Sequence, residues 1–428
     1  MESSLRVHAR RRFVCAAVLL LVSLAFGRKV FAGEDNQRTP RIAAIVTTYY
    51  HNSHADVIVS RLLETDTLDG KGRRPKLNLV SLYTDQVPKN DTSRKLSKAH
   101  GFPIFDNVQD ALTLGTDTLA VDGVLLIAEH GKYPESNTGQ IVYPKRRLFS
   151  EIADVMAKSK RFVPVFCDKH LADNWKDAKW IYDEAKRLGI PMMAGSSLPV
   201  LWRYPPVDVQ RGAALDQLVA VSYHRLDTYG FHAMEMVQCL VERRKGGETG
   251  VASVRCLEGD SVWQAAKEGI YDRQLLDAAL ARLKERPLPK NRRIEDLVKK
   301  PVLFVIDYAD GFRACIFTLN YAVVEWAAAW RYQSNNRVES TVFWTQEARP
   351  FHHFTHLLAG IEKMFHTGKP TWPVERTLLT SGTLDALLIS KKNRGKRLAT
   401  PHLAIPYSSS LNWLQPPPPP PGRPIQGQ

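Results

Sequence analysis

Cysteine is scarce in this chain, with five among 428 residues, which excludes a small scaffold held together by many disulfides. Cys167, Cys239, Cys256 and Cys315 lack the short spacings of metal-ligand pairs, and nothing in their positions selects a disulfide. Long hydrophobic runs are also missing, since the apolar stretch 13–26 falls short of the roughly 20 residues that a bilayer span needs. A membrane protein with several spans is therefore excluded.

Positive charge is abundant but dispersed. The net charge is +15, and residues 1–33 hold six basic side chains against one acidic one. The other basic residues lie in short runs such as 145–147 and 391–397, without a basic helix carrying interleaved aromatics or a nucleic-acid module. We therefore predict no nucleic-acid partner, whereas a phosphate-bearing or acidic small molecule fits the charge. The 44% hydrophobic and 24% charged residues are typical of a soluble, folded protein.

Residues 1–33 are predicted to be a cleaved export signal. A basic segment, Arg10 to Arg12, precedes the apolar stretch and a run of small residues that ends at Gly33. The paired arginines and the nearby Phe13 are similar to a twin-arginine signal, whose pathway exports folded proteins, and an ordinary secretory signal with extra arginines is the alternative. We therefore expect an exported protein, periplasmic or extracellular, with no stable membrane span once the signal is removed.

Residues 41–199 alternate between strand and helix patterns. Continuous apolar runs at 41–48 and 121–128 suit strands that are buried on both faces. Helical periodicity follows at 55–63 and 175–188. This alternation predicts βαβ units, and hence a Rossmann-like parallel sheet with right-handed crossovers. The carboxyl ends of its strands then meet at one edge, where such sheets bind ligands.

Residues 200–407 are predicted to form a second, α+β domain. Strand patterns at 301–306 and 313–320 are separated by a turn, which favours an open, mainly antiparallel sheet. This sheet is also where we expect a homo-oligomer to form, if there is one. Segment 264–286 is predicted to be a single helix, and the proline-rich residues 408–428 a solvated, disordered tail.

Two segments carry a resemblance to a known family. Residues 167–172 (CDKHLA) follow a buried strand, and residues 228–235 (TYGFHAME) keep the glycine, the histidine and the final acid of an Asp-x-Gly-x-His-x-x-Asp motif. Thr228 stands where that motif has its first aspartate. In this order along 41–407, the segments resemble the Gfo/Idh/MocA family of glucose–fructose oxidoreductases and inositol dehydrogenases. The resemblance implies a dinucleotide-binding domain, an α+β substrate domain, and oxidation or reduction of a sugar or polyol with NAD or NADP.

The resemblance assigns catalytic roles to Lys169, His232 and Glu235. Lys169 would hold the substrate hydroxyl and favour the developing alkoxide with its positive charge. His232 would take the hydroxyl proton, because imidazole titrates near neutral pH. Glu235, one helical turn further on, would orient the imidazole ring. A surface lysine, a capping histidine and a solvated acid are the structural alternatives.

The loop after the first strand departs from the family. The Gly-x-Gly-x-x-Gly motif expected there lets the backbone approach a pyrophosphate at the helix N-terminus, but no glycine occurs between residues 41 and 69. Tyr49 and Tyr50 would either swing outward or fill the space of the diphosphate. The residues predicted to bind NAD or NADP lie at strand ends and at the helix start: Thr47, Thr48, His51, Asn52, Asp85, Ala128 and Asp168.

Two functions follow from these patterns. The first is an exported oxidoreductase that acts on a sugar or polyol with a bound NAD(P), and Lys169 and His232 favour it. The second is a non-catalytic ligand-binding or scaffold protein that kept the Rossmann fold and lost the cofactor, and the missing glycines favour it. No metal site is predicted, although His352 and His356 have the i, i+4 spacing that helical metal ligands use.

Overall fold

The first sheet consists of six parallel strands in a computed structural model that describes residues 38–418. The strands are β1 (Arg41–Val46), β2 (Asn78–Thr84), β3 (Ile104–Phe105), β4 (Gly123–Ile127), β5 (Val165–Asp168) and β6 (Met192–Gly195). Their order, β3-β2-β1-β4-β5-β6, is that of a doubly wound dinucleotide-binding sheet. Every residue of the central strand β4 is buried, as its continuous apolar sequence requires. The predicted Rossmann-like sheet is confirmed.

The second sheet has eight strands and is mainly antiparallel. Its strands are β7 (Trp202–Tyr204), β8 (Leu215–Ser222), β9 (Val251–Glu258), β10 (Val302–Tyr308), β11 (Arg313–Thr318), β12 (Trp326–Tyr332), β13 (Val338–Trp344) and β14 (Leu398–Ala399). They follow the order β14-β9-β10-β11-β8-β12-β13-β7, in which β8 and β11 pair in parallel and the other neighbours pair antiparallel. This confirms the predicted class of the second sheet.

Helices surround both sheets. They are α1 (His54–Leu63), α2 (Ser93–His100), α3 (Val108–Thr113), α4 (Lys145–Lys158), α5 (Trp175–Leu188), α6 (Thr228–Val241), α7 (Asp260–Lys267), α8 (Arg273–Leu280), α9 (Ile294–Leu297), α10 (His353–Thr367) and α11 (Val374–Lys392). Ser53, Asn107 and Asn174 begin α1, α3 and α5 as side-chain N-caps, each accepting a hydrogen bond from a first-turn N–H. Segment 264–286, predicted as one helix, is instead interrupted between α7 and α8 at Gly269, whose φ is +69°.

The two sheets belong to one compact unit that begins at Pro40. Helix α10 lies late in the chain, yet it packs on the first sheet, where the Phe365 ring closes against Gly123 of β4. Helix α11 packs against β6 of the first sheet and β9 of the second. The carboxyl edge of the first sheet therefore has a fixed position relative to α6, which follows β8 of the second sheet.

The second sheet is covered on both faces. Phe304 lies against Gly230 of α6 on one face. On the other face, Phe317 contacts Trp263 of α7 and Tyr271, with a ring separation of 4.8 Å to the tyrosine. Segment 260–280 therefore covers this part of the second face of the sheet.

The start of the predicted tail is ordered against the second sheet. The indole N–H of Trp413 donates to the carbonyl of Leu201 at 2.9 Å, and the Arg203 guanidinium lies 4.2 Å from the centre of the Trp413 ring. Trp202 donates to the carbonyl of Pro417 at 2.6 Å. Residues 419–428 and the predicted export signal lie outside the described residues. Within 38–418, no helix has the length and apolar character to cross a membrane.

Candidate functional site

The predicted cofactor residues meet at the carboxyl edge of the first sheet. Thr47 and Thr48 follow β1, Asp85 follows β2, Ala128 follows β4, and Asp168 ends β5. Ala128 and Thr48 are buried, whereas His51 points into solvent with 67% of its side chain exposed. The structure therefore brings the strand-end residues together at one edge and leaves His51 at its margin.

A buried ion-pair network occupies the centre of this edge. Glu129 is 1% exposed, and its carboxylate lies 3.1 Å from the Lys145 ammonium and 3.3 Å from the Lys169 ammonium. Burial acts to raise the pKa of Glu129, but the charges of Lys169 and Lys145 outweigh it and hold that pKa well below its usual range. Lys145 also donates to the backbone carbonyls of Asp168 and His170. Glu129 is therefore an ionised carboxylate that two lysines hold in place.

Lys169, which follows β5 of the first sheet, and His232, on helix α6 beside the second sheet, face the same region. Lys169 adopts a left-handed backbone conformation with φ +57°, and its N–H bonds to the carbonyl of Gly195. His232, on the first turn of α6, has its Nδ1 2.5 Å from the hydroxyl oxygen of Ser196. Burial lowers the pKa of His232 well below its ordinary value, and the nearby positive charge of Lys169 lowers it further. The ring is thus neutral near pH 7.

Three more histidines lie at the same edge, and two of them, His130 and His170, are neutral near pH 7. Burial lowers the pKa of His130 and of His170 to about 3 in each case. His54, at the start of α1, has its Nδ1 2.6 Å from the carboxylate of Asp168. This bond occupies the Asp168 side chain, which the sequence assigned to the cofactor.

The Glu235 carboxylate contacts α11 and the chain just after β6, where it accepts a hydrogen bond from the Ser196 backbone N–H at 3.5 Å. It also accepts hydrogen bonds from the hydroxyls of Thr380, at 2.7 Å, and Thr377, at 3.2 Å, both on α11. It is fully buried, and burial raises its pKa. The His232 imidazole bonds directly to the Ser196 hydroxyl, and Glu235 bonds to the Ser196 backbone, so any orienting effect of Glu235 on the ring passes through Ser196. Glu235 also connects α6 to α11.

A carboxylate of the chain itself binds the turn that precedes α1. The N–H of Asn52, a residue with φ +65°, donates to Asp56 Oδ2 at 2.8 Å, and Arg349 donates to the same oxygen at 2.6 Å. In a dinucleotide-binding sheet, the N–H groups of this turn face the pyrophosphate. Tyr49 is fully buried beneath the turn, with its hydroxyl 2.8 Å from that of Ser60. Tyr49 therefore does not swing outward, and its ring packs into the core beneath α1.

The Asp85 carboxylate is also hydrogen-bonded within the chain. Its carboxylate accepts hydrogen bonds from Tyr133 at 2.7 Å, from Tyr83 at 2.9 Å and from Arg147. Burial would raise the pKa of Asp85, but these bonds lower it overall. The loop that carries Tyr133 crosses the ends of β1 and β2, and its Lys132 forms two hydrogen bonds with the Gln86 side chain. The acid that would bind the ribose of a dinucleotide is therefore bound by the chain's own side chains.

The residues present do not fit a dinucleotide in the usual position of this fold. The N–H group of Asn52 is bonded to Asp56, Asp85 to Tyr133 and Arg147, and Glu129 to the two lysines. Each of these contacts lies at the edge along which the pyrophosphate, the ribose and the nicotinamide extend in dinucleotide-binding sheets. The site can instead present an ammonium, an ionised carboxylate and neutral imidazoles to a small polar ligand.

Three side chains at this edge of the first sheet were not predicted from the sequence: Asp56, Glu129 and Lys145. Glu129 did carry a signal, because it directly follows a buried strand at the ligand-binding edge. Lys145 belongs to a short basic run that is typical of a solvent-exposed surface, yet it is fully buried. Its position depends on Glu129, 16 residues earlier in the chain.

Comparisons with known proteins identify the fold. No family model matches the sequence, and no curated protein matches it significantly. Solved structures do match. GenD2 from gentamicin A biosynthesis, in complex with NAD, is 12% identical over 85% of this chain and 97% of its own, with a TM-score of 0.54. A probable dehydrogenase from Thermotoga maritima is 13% identical over 85% and 99%, with a TM-score of 0.51.

A third match names a polyol substrate. It is the myo-inositol dehydrogenase from Lactobacillus casei in complex with NAD(H) and myo-inositol, 11% identical over 84% of this chain and 96% of its own, with a TM-score of 0.50. Similarity at this identity shows the fold. The chain therefore has the fold of these structures, a Rossmann-like domain followed by a second domain, and its resemblance to the Gfo/Idh/MocA family is confirmed at that level.

Proposed function

We propose that this protein binds a sugar or polyol at the carboxyl edge of its first sheet. In this site, the groups that would bind a dinucleotide are bonded to side chains of the protein itself, so that no dinucleotide binds. The observation that carries this proposal is the engagement of Asp56 by Arg349 and of Asp85 by Tyr133 and Arg147. Of the two functions that the sequence predicts, this engagement favours the protein that kept the Rossmann fold and lost the cofactor.

The polar groups of the edge suit a ligand with several hydroxyls. Thr48 Oγ1, His130 Nε2 and His170 Nδ1 are buried and have no hydrogen-bond partner among the described residues. Buried polar atoms are rarely left unsatisfied in native proteins. A hydroxyl both donates and accepts, so ligand hydroxyls, or water in their absence, can satisfy such mixed groups. Lys169 and Glu129 add one charge of each sign, which favours a neutral polyol over a strongly charged ligand.

The second candidate is an oxidoreductase acting on a sugar or polyol. One observation favours it: the Lys169 ammonium and the His232 imidazole lie close enough to interact electrostatically. A neutral imidazole can take a hydroxyl proton while the ammonium stabilises the alkoxide that develops. GenD2 and the myo-inositol dehydrogenase of the same fold were solved with NAD or NAD(H). Under this candidate, NAD or NADP would have to displace the contacts of Asp56 and Asp85.

Dinucleotide binding separates the two candidates. We expect native mass spectrometry of the purified protein to show no bound NAD or NADP, and thermal unfolding to be unchanged by either one. A ligand at a hundred times its dissociation constant would stabilise the native state by about 2.7 kcal/mol, which a thermal scan resolves easily. A dinucleotide-dependent polyol dehydrogenase serves as the positive control. A bound dinucleotide, or a clear rise in melting temperature, would support the oxidoreductase instead.

We also propose that the protein is exported by the twin-arginine route, on the basis of the basic segment before Phe13. Changing Arg10 and Arg11 together to lysine keeps the charge and removes the paired arginines. We expect the unprocessed precursor of this double variant to accumulate in the cytoplasm, as fractionation and immunoblotting would show. Arg6→Lys, which lies outside the pair, should be exported normally. Normal processing of the double variant would indicate an ordinary secretory signal.

A further inference from the structure

A cavity lies beside the second sheet, at the ends of β8 and β11. Its volume is about 620 Å³, within the range of about 300–1,000 Å³ that small-molecule sites occupy. Its walls include the apolar side chains Val302 and Val323 and the ring of Tyr223, all well packed into the second sheet. The rings of Tyr223 and Tyr229 lie between this cavity and His232. The ring centroids are 5.1 Å apart between Tyr223 and Tyr229, and 6.2 Å apart between Tyr229 and His232. This cavity is therefore distinct from the carboxyl edge of the first sheet.

The charges around this cavity have one sign. Arg225, Arg286 and Lys300 line it, and no aspartate or glutamate is among its lining residues. Arg225 is paired with Asp227, but neither Arg286 nor Lys300 forms an ion pair within residues 38–418. Both side chains are exposed at the rim. Two uncompensated cations at the mouth of a concave site attract an anion.

An aromatic side chain stands at the mouth without packing of its own. Tyr321 is 92% exposed and has a φ of +71°, a conformation that bulky residues rarely adopt. Arg286 holds this backbone by donating to the Tyr321 carbonyl at 2.9 Å. Backbone strain that is fixed by neighbouring groups is typical of ligand-binding positions. The Tyr321 ring is thus held out as a flat apolar surface beside the two cations.

The wall between β8 and β11 is also fixed in advance. The Asn320 side chain accepts a hydrogen bond from the backbone N–H of His224 and donates to the carbonyl of the same residue. His224, with φ +68°, stacks on Tyr229 at 4.5 Å. The cavity therefore needs little rearrangement to receive a ligand, which lowers the cost of binding.

We propose that this cavity binds an anionic sugar, that is, a sugar ring that carries a carboxylate or a phosphate. Lys300 and Arg286 would hold the anionic group, and the Tyr321 ring would cover one face of the sugar, whose C–H groups are apolar. The apolar floor excludes a ligand that is charged throughout. The proposal does not depend on the function proposed for the carboxyl edge, because none of these residues belongs to that site.

Calorimetric titration of the mature protein tests this assignment. The probes are glucuronate and glucose 6-phosphate, compared with neutral glucose and with inorganic phosphate. We expect at least one of the charged sugars to bind about tenfold or more tightly than both comparison probes. Its affinity should fall as salt is added, because the cations at the rim are exposed. The two charged sugars distinguish a carboxylate ligand from a phosphate ligand.

Variants locate the binding. Lys300→Ala should weaken the charged sugar about tenfold, whereas the neighbouring Lys299→Ala, which removes the same charge outside the cavity, should change it less than about twofold. Tyr321→Ala should weaken the sugar about threefold to tenfold and leave inorganic phosphate unaffected. Both positions are exposed, so these variants keep the fold. The assignment is overturned if neither charged sugar binds, if inorganic phosphate binds as tightly as the charged sugars, or if Lys299→Ala and Lys300→Ala have equal effects.

Discussion

Lowering the pH from 7 to 5 is expected to reduce the free energy of unfolding by about 2 kcal/mol for each histidine whose pKa is strongly lowered in the folded chain. Burial lowers the pKa of His130 and His170 to about 3 and that of His356 to about 4. An unfolded histidine titrates near pH 6.5, so the unfolded state binds more protons in the interval below that pH. Each histidine therefore contributes stability that is present above about pH 6.5 and is lost, by about 2 kcal/mol, at pH 5.

Urea denaturation at the two pH values measures this loss. Burial raises the pKa of Glu235 and of Asp385, and these carboxylates offset part of it, because their charged forms are favoured in the unfolded state. His170→Gln should remove about 2 kcal/mol of the change between pH 7 and pH 5, whatever its effect at pH 7. His51→Gln, on an exposed side chain, is the control and should leave the change intact. Equal pH responses in the two variants would contradict the assignment of a neutral, buried His170.

Glu129→Gln is expected to lower the free energy of unfolding at pH 7 by about 3–5 kcal/mol, the cost of leaving a buried charge unpaired. Lys145 would keep its two backbone carbonyls, but Lys169 would lose the carboxylate that lies 3.3 Å from its ammonium. The measurement is urea unfolding of the variant against the natural protein.

Two further variants make that result interpretable. Glu151→Gln removes an acid that is paired with Arg147 at the surface, and its cost should stay below about 1 kcal/mol. Glu129→Gln combined with Lys169→Met should recover part of the lost stability, because the unpaired charge is gone. The network would have no structural role if Glu129→Gln were as mild as Glu151→Gln.

The first sheet could be predicted from sequence because burial on both faces leaves continuous apolar runs, as in β4. Helix α11 gives no comparable signal. Fourteen of its nineteen residues are buried, among them Thr377, Thr380 and Ser381, so no polar stripe marks its period. Strand β12 contains the run 327–329 of alanine, which favours a helix locally, and its pairing with β8 and β13 overrides that preference.

The candidate site also has residues that the sequence predicts and residues that it does not. Lys169 and His232 lie in short motifs, so sequence could predict them. The partners that determine their chemistry are distant along the chain: Glu129 lies 40 residues before Lys169, and Arg349 lies 293 residues after Asp56. Only the folded chain brings these pairs together, which is why the engagement of the cofactor edge could not be predicted.

The Asp56 carboxylate at the start of α1 competes with external anions as a tethered group. A group on a short connection acts at an effective concentration of about millimolar or more, and Asp56 lies within the first turn of the helix whose preceding turn it binds. A free phosphate ester would have to displace this carboxylate and also separate it from Arg349. If the protein has lost the cofactor, as proposed, the polypeptide itself sets the state of this loop, and the nucleotide supply in the surrounding compartment does not.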